Sequence, residues 1–155
     1  MIRHISISAA NPRHVAEVMA ELWGGRILPF PSHAGSYMAL AWDERGTMIE
    51  VYPLGTELVP GDAEVEFREN DSPSHFQAVH AAIDVTASEE QILAIAAREG
   101  WRVLSCNRGG FFEVIELWIE NRLLLELLTP KIAPLYTKFM QPESLEAFCA
   151  AMGVA

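Results

Sequence analysis

Cysteine is scarce in this chain of 155 residues: it has two, Cys106 and Cys149, and neither belongs to a CxxC pair. That excludes a disulfide framework and a cysteine-rich zinc site, and it points to a reducing, cytoplasmic setting. Positive charge is also short, with 11 Lys and Arg against 21 Asp and Glu, a formal net charge of −10. Such a surface repels phosphate backbones and anionic lipid, so neither nucleic acid nor a membrane surface is expected as a partner. No apolar run approaches the roughly 18–20 residues that span a bilayer. The opening MIRHISIS has neither the apolar stretch nor the small-residue cleavage site of a signal peptide.

What is present is apolar bulk: half of the residues are hydrophobic, enough for a core without covalent help. Residues 2–8 alternate as a strand. Asn11-Pro12 then supplies an N-cap followed by proline at the first helical position. Val15, Val18, Met19 and Leu22 recur at helical spacing, and Gly24-Gly25 closes the helix. Strands are expected at 25–30, 37–42 and 47–53, the last two flanking the polar turn Asp43-Glu44-Arg45-Gly46. Residues 54–77, with Pro60, Gly61, Asp71 and Pro73, read as an acidic linker holding at most one short extended piece. The first pattern then returns. A strand covers 78–85, and Thr86-x-x-Glu89 and Ser88-x-x-Gln91 both fit a capping box. Ile92, Ile95 and Ala96 form a helical stripe that ends at Gly100, and strands follow at 101–106, 111–119 and 122–128. A helix of about 10 residues is expected after Pro142. The fold class is therefore α+β: two βαβββ modules (1–54 and 78–130), a linker (55–77) and a helical tail (131–155).

A shift of 76 residues carries His4 onto His80 and Glu50 onto Glu126. The same shift carries Gly24 onto Gly100, Arg26 onto Arg102 and Leu28 onto Leu104. Seventeen glutamates make chance matches common, so position within the elements decides. Each His is expected in the strand before a helix, and each Glu in the last strand of its module. Glu126 lies in Leu123-Leu124-Leu125-Glu126-Leu127-Leu128 and Glu50 lies between Ile49 and Val51. An unpaired carboxylate in such surroundings costs several kcal/mol, so something must neutralise it. Two carboxylates and two imidazoles balance a divalent cation and leave open coordination positions. A mixed nitrogen and oxygen set suits Ni, Co, Fe, Mn or Zn better than Ca or Mg.

With these residues the chain resembles the vicinal oxygen chelate superfamily, which includes glyoxalase I, extradiol dioxygenases, fosfomycin-resistance enzymes and bleomycin-binding proteins. The resemblance spans residues 1–130 and is strongest in Asp43-x-x-Gly46-x-x-Ile49-Glu50 and from His80 through Gly100-Trp101-Arg102-Val103. It implies an open, funnel-like mixed-sheet barrel of two modules around a metal, with His4, Glu50, His80 and Glu126 as ligands. The His-Glu-His-Glu order is similar to that of bacterial glyoxalase I. The chain departs from the pattern at its first helix, which lacks a Phe-Tyr pair, and at its final hairpin, Glu120-Asn121-Arg122. No match is found to the arginine and asparagine positions that contact glutathione, so glutathione is not an expected cofactor.

The function implied is a divalent-metal-dependent lyase or isomerase. It would act on a small oxygenated substrate through a metal-chelated enediolate, with Glu126 as the base and Glu50 as the alternative. An Fe(II) extradiol-type dioxygenase needs two His and one carboxylate, which a fourth ligand would crowd. A non-catalytic small-molecule or antibiotic binder of the same fold is the third reading. Trp23, Phe30, Tyr37, Trp42, Tyr52 and Trp118 are candidates for its cleft, although strand aromatics more often fill cores. Arg26 and Arg102 are expected at the surface, and Glu113, Glu116 and Glu120 along one solvated edge. The resemblance also implies a homodimer.

Overall fold

The structure is a computed structural model that describes residues 2–153. The chain divides into two compact units, Met1–Gln77 and Ala78–Ala155. No helix among the described residues is long and apolar enough to cross a membrane.

The first unit runs β1 (His4–Ala9), α1 (Pro12–Trp23), β2 (Arg26–Pro29), β3 (Tyr37–Leu40), β4 (Met48–Pro53), β5 (Thr56–Pro60) and β6 (Val65–Glu69). The first four strands make a mixed sheet in the order β1-β4-β3-β2. β1 pairs parallel to β4, and the other two pairs are antiparallel. The Asn11 side chain accepts the backbone N–H of His14, and Gly24 takes a left-handed φ of 64° at the C-cap. Gly25 is needed for a different reason. A Cβ there would lie 1.9 Å from the carbonyl oxygen of Leu40, so the helix exit touches β3 through bare backbone. Val15, Met19 and Leu22 of α1 are fully buried with Ile7, Ala39, Ile49 and Val51 of the sheet. Strand alternation then turns His4, Ser6, Met38, Glu50 and Tyr52 to the opposite face.

The second unit repeats this plan with β7 (Ala81–Asp84), α2 (Glu89–Glu99), β8 (Val103–Arg108), β9 (Phe112–Ile119) and β10 (Leu123–Leu128) in the order β7-β10-β9-β8. Ser88 and Gln91 close the expected capping box. The ladders confirm the 76-residue shift at the level of register: Ser6 faces Glu50 in the first sheet and Ala82 faces Glu126 in the second.

Four expectations change. Residues 54–77 are more than a linker, because β5 and β6 form an antiparallel hairpin inside the first unit. His80 is not in a buried strand: β7 begins at Ala81, His80 is exposed, and the neighbouring Val79 is 58% exposed. The run Val79-His80 lacks the burial that holds a chain in a sheet. The tail holds two helices, α3 (Ala133–Phe139) and α4 (Pro142–Met152). Finally, Glu116 does not join Glu113 and Glu120 along a solvated edge. Its Cα pairs with that of Glu126, and its side chain is only 16% exposed.

Candidate metal and ligand site

In the first unit the face of the sheet turned away from α1 forms the floor of a cavity of about 820 Å³. His4, Ser6, Glu50 and Tyr52 line its floor, and Leu58, Val65 and Phe67 line it from the β5–β6 hairpin. Glu50 is 8% exposed, an expensive place for a carboxylate unless its oxygens are satisfied. Ser6 Oγ donates to Glu50 Oε2 at 2.9 Å, and Tyr52 Oη donates to the same oxygen at 3.0 Å. Among the described residues, Oε1 receives no hydrogen bond. Burial, together with the hydrogen bond to Glu50 and its charge, pushes the Tyr52 phenol up to about 12. Tyr52 is therefore a neutral donor at any physiological pH.

In the second unit Glu126 has a different partner. Arg108 Nη2 donates to Glu126 Oε1 at 2.5 Å and to Glu116 Oε1 at 2.8 Å. The neutralising group that the apolar surroundings of Glu126 demand is thus present as a guanidinium bridging two carboxylates. Burial raises the Glu116 carboxyl, but the hydrogen bonds from Arg108 and Cys106 outweigh it and hold the group below the usual carboxylate range. Burial and Glu116 raise the Cys106 thiol, so it is not a poised nucleophile. Among the described residues Glu126 Oε2 receives no hydrogen bond. His80 Nδ1 lies 3.3 Å from the carbonyl of Ala78, which can only accept, so in this contact Nδ1 is the donor.

Each unit thus holds one His and one Glu of the predicted set. His4 is two residues before the residue facing Glu50, and His80 is two residues before the residue facing Glu126. Among the described residues no three His, Cys, Asp or Glu side chains are grouped closely enough to hold a metal ion. The donor chemistry nonetheless fits one. Each glutamate is oriented through one oxygen and offers the other. Metal-ligating side chains are typically fixed in this way by partners behind them.

Sequence reasoning missed Ser6, Arg108, Glu116 and Phe67. Ser6 was legible in the strand alternation, two residues beyond His4. Arg108 was not, because its role depends on which residues face it across the sheet. Trp42, a cleft candidate, is 60% exposed and carries Arg26 over its ring at 4.9 Å. Trp23 is buried on α1.

No family model matches the chain, and no curated protein matches it. Solved structures do match. The genomically encoded fosfomycin resistance protein FosX of Listeria monocytogenes is 14% identical, with a TM-score of 0.54 over 82% of this chain and 88% of its own. FosX of Mesorhizobium loti is 10% identical, with a TM-score of 0.51 over 82% and 89%. The trypanothione-dependent glyoxalase I of Leishmania major is 18% identical, with a TM-score of 0.51 over 100% and 99%. This chain therefore has the vicinal oxygen chelate fold.

Proposed function

We propose that the protein is a divalent-metal-dependent lyase or isomerase of the glyoxalase type, acting on a small oxygenated molecule. His4, Glu50, His80 and Glu126 would hold the metal ion. The observation that carries this reading is Glu50: a buried carboxylate, fixed through Oε2 by Ser6 and Tyr52, with Oε1 left unbonded at a cavity that His4 also lines. When bound, the ion supplies Lewis-acid polarisation of substrate oxygens.

The protein's own groups do the rest. Ser6 and Tyr52 hold the Glu50 carboxylate in place by donating to its Oε2. Leu58, Val65 and Phe67 give the cavity an apolar wall that limits water around the substrate. Glu50 is the better-placed proton carrier, since its anchoring partners are two neutral hydroxyls and not a cation. Glu126 fills the same role only in competition with Arg108, which draws electron density from its carboxylate.

Arg108 also favours a second reading. A Glu126 already neutralised by a guanidinium needs no metal, as in a non-catalytic small-molecule binder of the same fold. Metal analysis of protein purified without chelator or affinity-tag nickel separates the two. About one equivalent of a transition metal, lost in Glu50→Gln, supports the enzyme reading. Absence of metal from wild-type protein, with no uptake on addition of Ni, Co, Zn, Mn or Fe(II), overturns it. A homodimer belongs to the same proposal, and strictly monomeric elution at micromolar concentration would count against that part.

A further inference from the structure

The two glutamates of the proposed ligand set are held by different chemistry. In the first unit the anchors of Glu50 are neutral: the Ser6 and Tyr52 hydroxyls, both on Oε2. The 76-residue shift carries Ser6 onto Ala82 and Tyr52 onto Leu128, so the second unit has neither hydroxyl. Ala82 faces Glu126 across the parallel ladder at the place where Ser6 faces Glu50. Glu126 takes a cation instead.

The sheet places that cation. Arg108 of β8 pairs with Phe112 of β9, and Phe112 and Glu116 share a side of their strand. Glu116 in turn faces Glu126 across the β9–β10 ladder. One nitrogen, Arg108 Nη2, donates to Oε1 of both carboxylates, and its two hydrogens suffice for one bond each. If Glu126 turned to another cation, Glu116 would still hold Arg108. The side chains of Glu116 and Glu126 are only 16% and 15% exposed, so water screens the three charges poorly. Two carboxylates and one guanidinium leave a net charge of −1.

A neutral donor orients a carboxylate and leaves its charge available to a metal ion. A guanidinium orients it too, but it draws on the same charge. A neighbouring cation weakens a carboxylate's hold on any other cation by roughly tenfold or more. We propose that Arg108 is a positioning residue that competes for Glu126 and makes it the weaker carboxylate ligand of the set. Glu116 is the anchor that keeps Arg108 in place. This rests on the proposed function and deepens it by naming the residue pair that sets the strength of the metal site.

Competitive titration of the full chain with nickel(II) and zinc(II), against a chelating dye, tests the assignment. Arg108→Gln should tighten binding roughly tenfold, the low end for a neighbouring cation, because Arg108 itself is 38% exposed. A purely structural role would weaken binding or leave it unchanged. Glu116→Gln leaves Arg108 to Glu126 alone and should weaken binding by a similar factor. In a Glu126→Gln background Arg108→Gln should no longer tighten binding. Equal tightening there would trace the effect to the general field of charge and overturn the proposal. Wild-type protein supplies a readout that needs no variant: the NMR signal of the Arg108 guanidinium should shift on adding zinc(II) and return on chelation. An unmoved signal in zinc-loaded protein also overturns the proposal. Metal uptake by the wild type that is no tighter in Arg108→Gln removes this inference and leaves the metal reading standing. No uptake by either protein removes both.

Discussion

Tyr52 Oη stands 3.0 Å from Glu50 Oε2, and that bond ties the most buried acidic side chain of the first unit to a phenol two residues along the same strand. Both face the cavity because residues i and i+2 share a side of a strand. Tyr52→Phe removes one of two donors to a carboxylate that water reaches poorly. Stability should fall by about 1–3 kcal/mol, the cost of a buried acceptor losing its partner. Affinity for a divalent ion should fall roughly tenfold to a hundredfold, as when a ligand loses its orienting neighbour. Urea unfolding and competitive metal titration measure the two effects separately.

The same bond makes a pH prediction. The phenol is raised to about 12 in the folded protein, from 10.0. The unfolded chain therefore releases this proton first, binds fewer protons between the two values, and is favoured as pH rises. The contribution of Tyr52 to stability should not vary with pH below about pH 10 and should decline from there to about pH 12. A tyrosinate absorbance titration should show one of the three tyrosines ionising last, and Tyr52→Phe should remove that step.

Arg108 bridging Glu116 and Glu126 predicts the opposite dependence. The depressed Glu116 carboxyl stabilises the fold above its unfolded value of 4.5, and this contribution disappears as pH falls below that value. Arg108→Gln leaves two part-buried carboxylates facing each other without a cation. It should cost about 1–3 kcal/mol at neutral pH and move the acid unfolding midpoint upward. Adding Glu116→Gln to that variant should recover part of the loss. A double variant no more stable than Arg108→Gln alone would show that the carboxylate pair was not the source of the cost.

The contrast between these two glutamates shows what local sequence can and cannot say. The need to neutralise Glu126 was legible, because six consecutive residues carry five leucines around it. The neutralising group was not, since Arg108 lies 18 residues away and reaches Glu126 from a strand two places across the sheet. Caps and turns were legible because each is closed within a few residues: Asn11 on His14, Ser88 with Gln91, and Asp43 on Arg45 and Thr47. The β5–β6 hairpin escaped because Pro60, Gly61 and the acidic residues between its strands look like a linker. Its only strand signal, Val65 and Phe67 alternating with Glu64 and Glu66, is two apolar residues long. The exposed His80 escaped for the reverse reason: Val79 and Ala81 flank it as a strand would, yet the ladder with β10 begins one residue later.

If Glu50 is a metal ligand, the ion binds the folded chain and not the unfolded one, and it must stabilise the fold by mass action. At a free metal concentration about a hundredfold above its dissociation constant the gain is about 2.7 kcal/mol. For a chain of 155 residues that is a rise in melting temperature of roughly 5–10 °C. Differential scanning fluorimetry with and without chelator should show this rise in the wild type. Glu50→Gln and His4→Ala should each remove most of it. An identical rise in Glu50→Gln would place the ion on other groups.

Two glycines test how the first sheet is held behind the site. Gly25 meets the backbone oxygen of Leu40 at 1.9 Å from where a Cβ would be, and backbone cannot swing aside as a side chain can. Gly25→Ala must therefore push α1 away from β3 or bend β3, at about 3 kcal/mol, the upper part of the usual range for overpacking. Gly46 has a φ of 68°, but nothing lies within 4 Å of its would-be Cβ. Gly46→Ala thus carries only the left-handed penalty of about 1 kcal/mol. β3 pairs directly with the strand that carries Glu50, through Met38, so a displaced β3 moves the carboxylate as well. Gly25→Ala should accordingly lower both unfolding free energy and metal affinity, whereas Gly46→Ala should lower only the first. Equal losses of metal affinity in the two variants would mean that the α1–β3 contact does not position Glu50.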